Sequence, residues 1–421
     1  MKKTLDNTVH KKKWLSPGEA ALLLFVILVY YLFNLYVFWR FSHWLKLVTG
    51  AAIAGPILIP AFVLQFLTAS TLFLSYALPV SRLHRKITNF CNAWLCWSFC
   101  LVLFILSADA IRLVLYLLPG TYFQALFSSR PVLLGIGMLT LSGSIAMCRY
   151  GVRHAKELKE THYTITIPKK CPGRKNMRIV LTADQHMGYA IGADFIEEMA
   201  NCINEAKPDL VCISGDLFDN HYDCMDDPDR IARAFKSIRS TYGTYAVLGN
   251  HDVEEQLLGG FSLTSYTQAF QDPRIPEFLL KSGITLMQDD VLYPNEQFYL
   301  AGRKDGEKPG DGTRERMSLD ELLKDTDPGR FMILLDHEPH NLKDIAEEGI
   351  DLNLGGHTHG GQFFPLTLPQ KFIWQNHTGC QEIAPGKYSI VTSGVGVYGP
   401  AMRIGTDSEI VIIDVRFEAG S

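Results

Sequence analysis

Along the first 150 residues the apolar positions run together instead of alternating. Four uncharged stretches stand out: Ala20 to Trp39, Leu47 to Val80, Ile87 to Ala108 and Pro131 to Cys148. A helix crosses a bilayer with roughly 20 apolar residues, and in hydrocarbon its backbone groups must pair within the segment. The pattern predicts an all-α transmembrane region of about four helices, the fourth shorter than the rest. The second stretch is too long for one straight span, and Pro56 and Pro60 predict that its first part kinks or lies at the interface. Asp109–Leu118 reads as an amphipathic interfacial helix or an extension of the third span. Asp109 and Arg112, three apart, could pair there.

Beyond residue 175 the rhythm changes. Short apolar runs at Met177–Ala183, Leu210–Ser214, Thr244–Leu248, Phe331–Leu335, Leu352–Leu354, Ser389–Thr392 and Ile410–Val415 read as strands. Asp194–Ala206 and Pro228–Ser240 carry helical periodicity. Alternation of this kind predicts an α/β layered core. The polar segment between the two regimes ends in Cys171-Pro172-Gly173 and reads as a juxtamembrane linker. The expected organisation is an anchor over 1–150, a linker over 151–174 and a soluble domain over 175–421.

Charge sharpens this division. Residues 1–160 hold sixteen Lys/Arg and five Asp/Glu, a balance of +11 that leaves −15 for the remainder of a chain whose total is −4. A domain that acidic is a poor partner for nucleic acid, whose affinity comes mainly from Lys/Arg displacing counterions. With four spans, twelve basic residues fall on the side of the N-terminus: Lys2, Lys3, Lys11, Lys12, Lys13, Arg82, Arg85, Lys86, Arg149, Arg153, Lys156 and Lys159. Only Arg40, Lys46, Arg112 and Arg130 fall on the other. By the positive-inside bias, the chain is expected to be an integral membrane protein with its soluble domain cytoplasmic. Nine cysteines without CxxC spacing read as free thiols of a reducing compartment.

Five polar motifs begin where an apolar run ends, as expected for a site built from loops at the carboxyl ends of strands. Asp184-Gln185-His186 can turn a carboxylate and an imidazole the same way, because residues two apart share a face at a strand end. Gly215-Asp216-Leu217-Phe218-Asp219 offers a tight exit and an Asp able to bridge two cations, though a bland turn would explain it equally well. Gly249-Asn250-His251-Asp252 offers an amide oxygen as a hard ligand, with His251 free for acid chemistry. His337, in LLDHEPH, is singly more often an ordinary hydrogen-bonded histidine. Gly356-His357-Thr358-His359-Gly360-Gly361 is the most specific, two histidines bracketed by glycines. Independent bland readings at all five are improbable together. His221, Asp223 and Arg303 are weaker candidates, expected as solvated loop residues. Asn376-His377-Thr378 fits a glycosylation acceptor, without meaning in a cytoplasmic domain.

These ordered blocks resemble the calcineurin-like metallophosphoesterase superfamily over about residues 175–416. GHTHGGQFFP and LLDHEPH look like its bacterial phosphodiesterase branch typified by YkuE and YaeI. The resemblance implies a four-layer αββα sandwich with one metal held by Asp184, His186, Asp216 and His359. It implies a second held by Asp216, Asn250, His337 and His357, with Asp216 bridging. Two such divalent ions lower the pKa of a shared water and clamp phosphoryl oxygens, so a hydroxide nucleophile is implied. His251 would serve as general acid or stabilise charge, with Asp219 orienting it. Oxygen and nitrogen ligands without thiolate suit Mn²⁺, Fe or Zn²⁺. The expected activity is metal-dependent hydrolysis of a phosphoester, lipid- or nucleotide-linked. The alternative is a membrane-tethered scaffold that binds partners without catalysis, although such scaffolds usually lose ligands and all seven are intact here.

Overall fold

A computed structural model of the chain describes residues 17–117, 125–127, 129–219, 221–255, 257–258, 261–262 and 269–418. Lys2, Lys3, Lys11, Lys12, Lys13 and Leu118, used in the readings above, lie outside the described residues.

Among the described residues the first region holds four helices long and apolar enough to cross a membrane: α1 (Pro17–Thr49), α2 (Ala51–Ala77), α3 (Arg82–Leu117) and α4 (Arg130–His154). They fit a membrane anchor. Pro56 and Pro60 lie inside α2, which continues through both. Each removes one ladder donor near the start of a helix whose later turns are intact. The third helix does extend past Asp109, but that carboxylate does not pair with the exposed Arg112. It pairs with Arg40 of α1 and accepts from Tyr36 Oη at 2.7 Å. An ion pair between helices satisfies both charges inside the bundle, which a pair along one exposed face does not.

The second region holds two mixed six-stranded sheets. The first runs in the order β1 (Leu158–Ile167), β14 (Ser408–Phe417), β2 (Asn176–Thr182), β3 (Leu210–Ser214), β4 (Thr244–Val247) and β7 (Ile284–Leu286). The second runs β12 (Gly379–Ala384), β13 (Lys387–Val391), β11 (Leu352–Gly355), β10 (Met332–Leu335), β9 (Tyr299–Gly302) and β8 (Asp290–Leu292). A two-stranded ribbon, β5 (Leu257–Leu258) and β6 (Phe261–Ser262), stands apart. Residues 158–167 were expected in the linker. They form instead the edge strand β1, parallel to β14 from Leu158↔Ser408 to Ile167↔Phe417.

Period-two alternation makes the layers. On β2, Met177, Ile179 and Leu181 enter the core between the sheets, while Val180 faces outward. On β10, Ile333 and Leu335 meet them from the second sheet, while Met332 and Leu334 face outward. Helices α5 (Ala193–Ala206), α6 (Pro228–Lys236) and α7 (Arg274–Lys281) cover the first sheet. The short α8 (Leu319–Leu323) and α9 (Leu342–Glu347) cover the second. The result is the expected αββα sandwich.

The sandwich is docked on the helices. Arg85 Nη2 donates to Cys224 O at 2.9 Å and Tyr189 Oη lies 3.1 Å from His84 Nδ1. Arg403 N donates to Gly151 O at 2.9 Å. Phe363 packs edge-on against Phe99, ring centres 4.7 Å apart. Leu258 is buried with Leu72 and Cys91. The loops that follow the metal-type motifs therefore face the anchor.

Candidate metal centre

Parallel strands β2, β3 and β4 of one sheet and β10 and β11 of the other end on the same rim. Asp184 and His186 follow β2, Asp216 follows β3, Asn250 and His251 follow β4. His337 follows β10, and His357 and His359 follow β11. Backbone bonds stitch these exits together: Asp184 N to Gly215 O at 2.9 Å, His186 N to Asp216 O at 3.0 Å and Gly356 N to His337 O at 3.0 Å. Five of the expected ligands, Asp184, His186, Asp216, His357 and His359, hold left-handed φ between 46° and 72°. That conformation is costly for residues with a Cβ and clusters at functional sites.

Two groups of ligand atoms result, Asp184–His186–His359 and Asp216–His337–His357, each lying within 4.8 Å of one another. His186 Nε2 and His359 Nε2 are 3.0 Å apart, and Asp184 Oδ1 is 3.4 Å from the latter. Asn250 Oδ1 lies 3.0 Å from His357 Nδ1, which is 3.3 Å from His337 Nε2. Asp216 Oδ2 joins the groups, 3.2 Å from His337 Nε2 and 3.8 Å from His186 Nε2. His337 Nδ1 lies 2.7 Å from Ser214 O. A carbonyl can only accept, so that nitrogen carries the proton and Nε2 is turned to Asp216. Backbone orienters of this kind are usual behind metal-bound imidazoles. Motif glycines make room: a Cβ on Gly249 would lie 2.3 Å from Asp216 Oδ1, and one on Gly356 2.5 Å from Asp184 Oδ2.

Three of the four imidazoles are held neutral; burial would lower the fourth, His337, but the Asp216 and Asp184 carboxylates hold it well above its ordinary value, so it must shed a proton to ligate. Burial pushes His186 and His357 down to about 3, and burial with His186 and Arg403 holds His359 well below its ordinary value. All three are therefore neutral, the form that ligates. Burial alone would raise Asp216, but His337 and His251 hold it well below the usual range. Burial raises Asp184 to about 7, and burial with the Asp216 charge takes Asp219 to about 7. Hard and borderline donors converging without a thiolate make a fitting cradle for two divalent ions.

All seven expected ligands thus come together. His251 is half-buried beside them, edge-on to His186 with ring centres 5.1 Å apart, and its backbone N–H donates to Asp216 Oδ1 at 2.8 Å. Asp219 lies against Gly188, its Oδ1 buried and unpartnered among the described residues. Arg303 corrects its expectation: it is buried, with Nη1 3.2 Å from Asp336 Oδ2 and Nη2 donating to Met317 O, because two acceptors compensate its desolvation. Asp223 pairs with Arg274 at 2.7 Å on the surface. The Asn376 amide is buried and donates to Ser389 O at 3.0 Å, a structural role.

Three further residues escaped sequence reasoning. Asp252 clamps two motif loops, accepting from Phe218 N and Gly249 N at 2.8 Å each. Its signal was its place in GNHD. Arg403 is fully buried behind His359, donating to the carbonyls of Ser393, Gly394 and Gly396 at 2.6–3.0 Å. Nothing in the spacing points to it. Trp374 presents its ring 4.9 Å from that of His357.

The family model for calcineurin-like phosphoesterases matches residues 177–361. An uncharacterized metallophosphoesterase of Aquifex aeolicus is 31% identical over 260 residues, 62% of this chain and 92% of that protein. A transmembrane protein with metallophosphoesterase domain from Danio rerio is 28% identical, over 66% of this chain and 62% of its own length. The uncharacterized metallophosphoesterase YkuE of Bacillus subtilis is 27% identical over 54% of this chain and 73% of its own.

Proposed function

Because the chain belongs to the calcineurin-like phosphoesterase family, we propose that it is a membrane-anchored hydrolase of phosphoesters working with two divalent ions. The observation that carries this reading is the pair of ligand groups meeting at Asp216. Asp184, His186, Asp216 and His359 would hold one ion; Asp216, Asn250, His337 and His357 the other. When bound, such ions ionise a water and neutralise phosphoryl charge. Mn²⁺, Fe and Zn²⁺ all suit these donors.

The remaining work falls to the chain's own groups. His251, at the open side of the ligands, is the general acid that protonates the departing oxygen. Asp219, which ends the motif that supplies Asp216, is the group proposed to orient it. Asp252 holds the loops of Asp216 and Asn250 in register. Arg403 fixes the loop of Gly394 and Gly396 against His359. The excess of basic residues on one side of the spans supports a cytoplasmic domain, and the relatives in Aquifex aeolicus and Bacillus subtilis favour a bacterial inner membrane as its place.

Hydrolysis of bis-p-nitrophenyl phosphate and p-nitrophenyl phosphate by the full chain in detergent tests the proposal. Cleavage should require Mn²⁺ or a similar ion, vanish with chelator and vanish in Asp216→Asn. A chain that binds two ions yet cleaves neither ester would favour the scaffold reading.

A further inference from the structure

A cavity of about 300 Å³ lies between the anchor and the sandwich. One wall is membrane helix and turn, where Leu72, Leu78 and Val80 stand among the polar Ser75, Thr88 and Asn92; the opposite wall includes Asp219, His221, Glu255 and Gly399. Asp219 closes the motif that supplies Asp216. Gly399 follows Tyr398, whose ring lies 4.9 Å from that of His359. The cavity therefore runs from the end of α2 to the rim of the metal centre. Exposed Arg82 and Lys86 stand at the start of α3, beside the same turn.

A second observation comes from the other side of the rim. Helix α10 (Thr367–Ile373) follows the last histidine motif. Around it Phe364, Leu366, Leu368, Phe372 and Ile373 are all exposed, Phe372 by 90%. Such a cluster is costly in water and is normally covered. Its neighbour Phe363 already packs on α3, so the cluster continues the surface that faces the anchor. Trp374 at its end touches His357. Surface with apolar patches thus lies on both sides of the rim, at Leu72, Leu78 and Val80 on one and around α10 on the other, and on both sides it leads toward the membrane helices.

We propose that the phosphoester this centre cleaves is carried by a membrane lipid, its chain entering the cavity beside Leu78 and Val80 while α10 rests in the bilayer interface. The proposal rests on the hydrolase function proposed above and names the class of its substrate. An aliphatic chain fits apolar patches next to a phosphoryl site, and the exposed cations suit a headgroup that carries further negative charge. A water-soluble ester would leave both apolar surfaces without a partner.

The test compares hexadecyl p-nitrophenyl phosphate with methyl p-nitrophenyl phosphate, the same scissile ester with and without the chain. The full protein with Mn²⁺ is assayed in mixed micelles. The hexadecyl ester should show a kcat/KM at least about tenfold higher, the effect of burying roughly two methylenes. Co-localisation in the micelle could raise that rate without the cavity, so the variants decide. Leu78→Trp, which fills the cavity, should abolish the advantage and leave cleavage of the methyl ester unchanged. Phe372→Ser, at a position too exposed to disturb folding, should reduce the advantage only. An advantage that survives Leu78→Trp, or equal cleavage of both esters by the wild type, overturns the lipid assignment and leaves the hydrolase standing. Failure to cleave either ester with metal bound removes both.

Discussion

The metal centre and the helical anchor solve opposite problems. At the centre, carboxylates and imidazoles are taken out of water and must be held in costly backbone conformations, as the left-handed Asp184, His186, Asp216, His357 and His359 are. In the anchor most residues are apolar, and Leu, Ile, Val and Phe can replace one another in lipid with little loss. Polar contacts between helices interrupt that uniformity among the described residues: the Arg40–Asp109–Tyr36 group between α1 and α3, and Gln65 and Ser70 of α2 against Asn34 and Tyr31 of α1. Where the surroundings tolerate only one arrangement, each side chain carries information. Where they tolerate many, only the exception does.

The contrast is broken most directly at Asp216. Asp216→Asn replaces one carboxylate oxygen of the shared residue by NH2 and removes its charge, and activity should fall by well over the roughly 100-fold typical of outer-shell changes. Comparable activity in the variant would mean that the groups act separately. His251→Ala should lower kcat by about 10²–10⁴ while metal content stays unchanged. Loss of metal along with rate would recast His251 as a ligand. Asp252→Ala leaves two buried N–H groups without an acceptor, at about 1–3 kcal/mol each. Thermal unfolding should report a loss of that size, and activity should fall only as far as the metals loosen.

Protons give a subtler contrast. Asp184 must shed its proton to ligate, and burial holds its carboxyl at about 7. Its contribution to metal affinity should therefore rise as pH climbs toward 7, by about tenfold per unit for one proton released, and level off above. Calorimetry in buffers of different ionisation heat measures that release, and affinity independent of pH between 5 and 7 would contradict it. The smallest effect belongs to the anchor. Arg40→Ala and Asp109→Ala should show a coupling of about 0.6–2 kcal/mol in a double-mutant cycle of bundle stability. Activity in micelles should be untouched.

The difference between the regions also explains what the sequence could tell. The centre was legible because few residue types bind hard cations, and they stand at strand ends in a fixed order. The layered fold was legible through runs such as Leu210–Ser214, which the structure keeps without change. Two features were harder to see. β1 carries its own signal, Tyr163, Ile165 and Ile167 alternating with threonines, but it follows a charged helix end, and its partner β14 lies about 250 residues away. Arg403 has no signal of its own; it becomes meaningful only where the carbonyls of Ser393, Gly394 and Gly396 converge. Pairings across that much chain belong to tertiary structure. Because β1 belongs to the first sheet, a soluble fragment beginning at residue 175 would lack an edge strand that the sandwich needs.

Metal stoichiometry tests the central claim most directly. Elemental analysis of the full chain, loaded with Mn²⁺ and freed of excess, should give two ions per chain. It should give about one in His186→Ala, and one or none in Asp216→Ala. A single ion in the wild type, or two ions retained in Asp216→Ala, would contradict a centre built on two ligand groups that share one carboxylate.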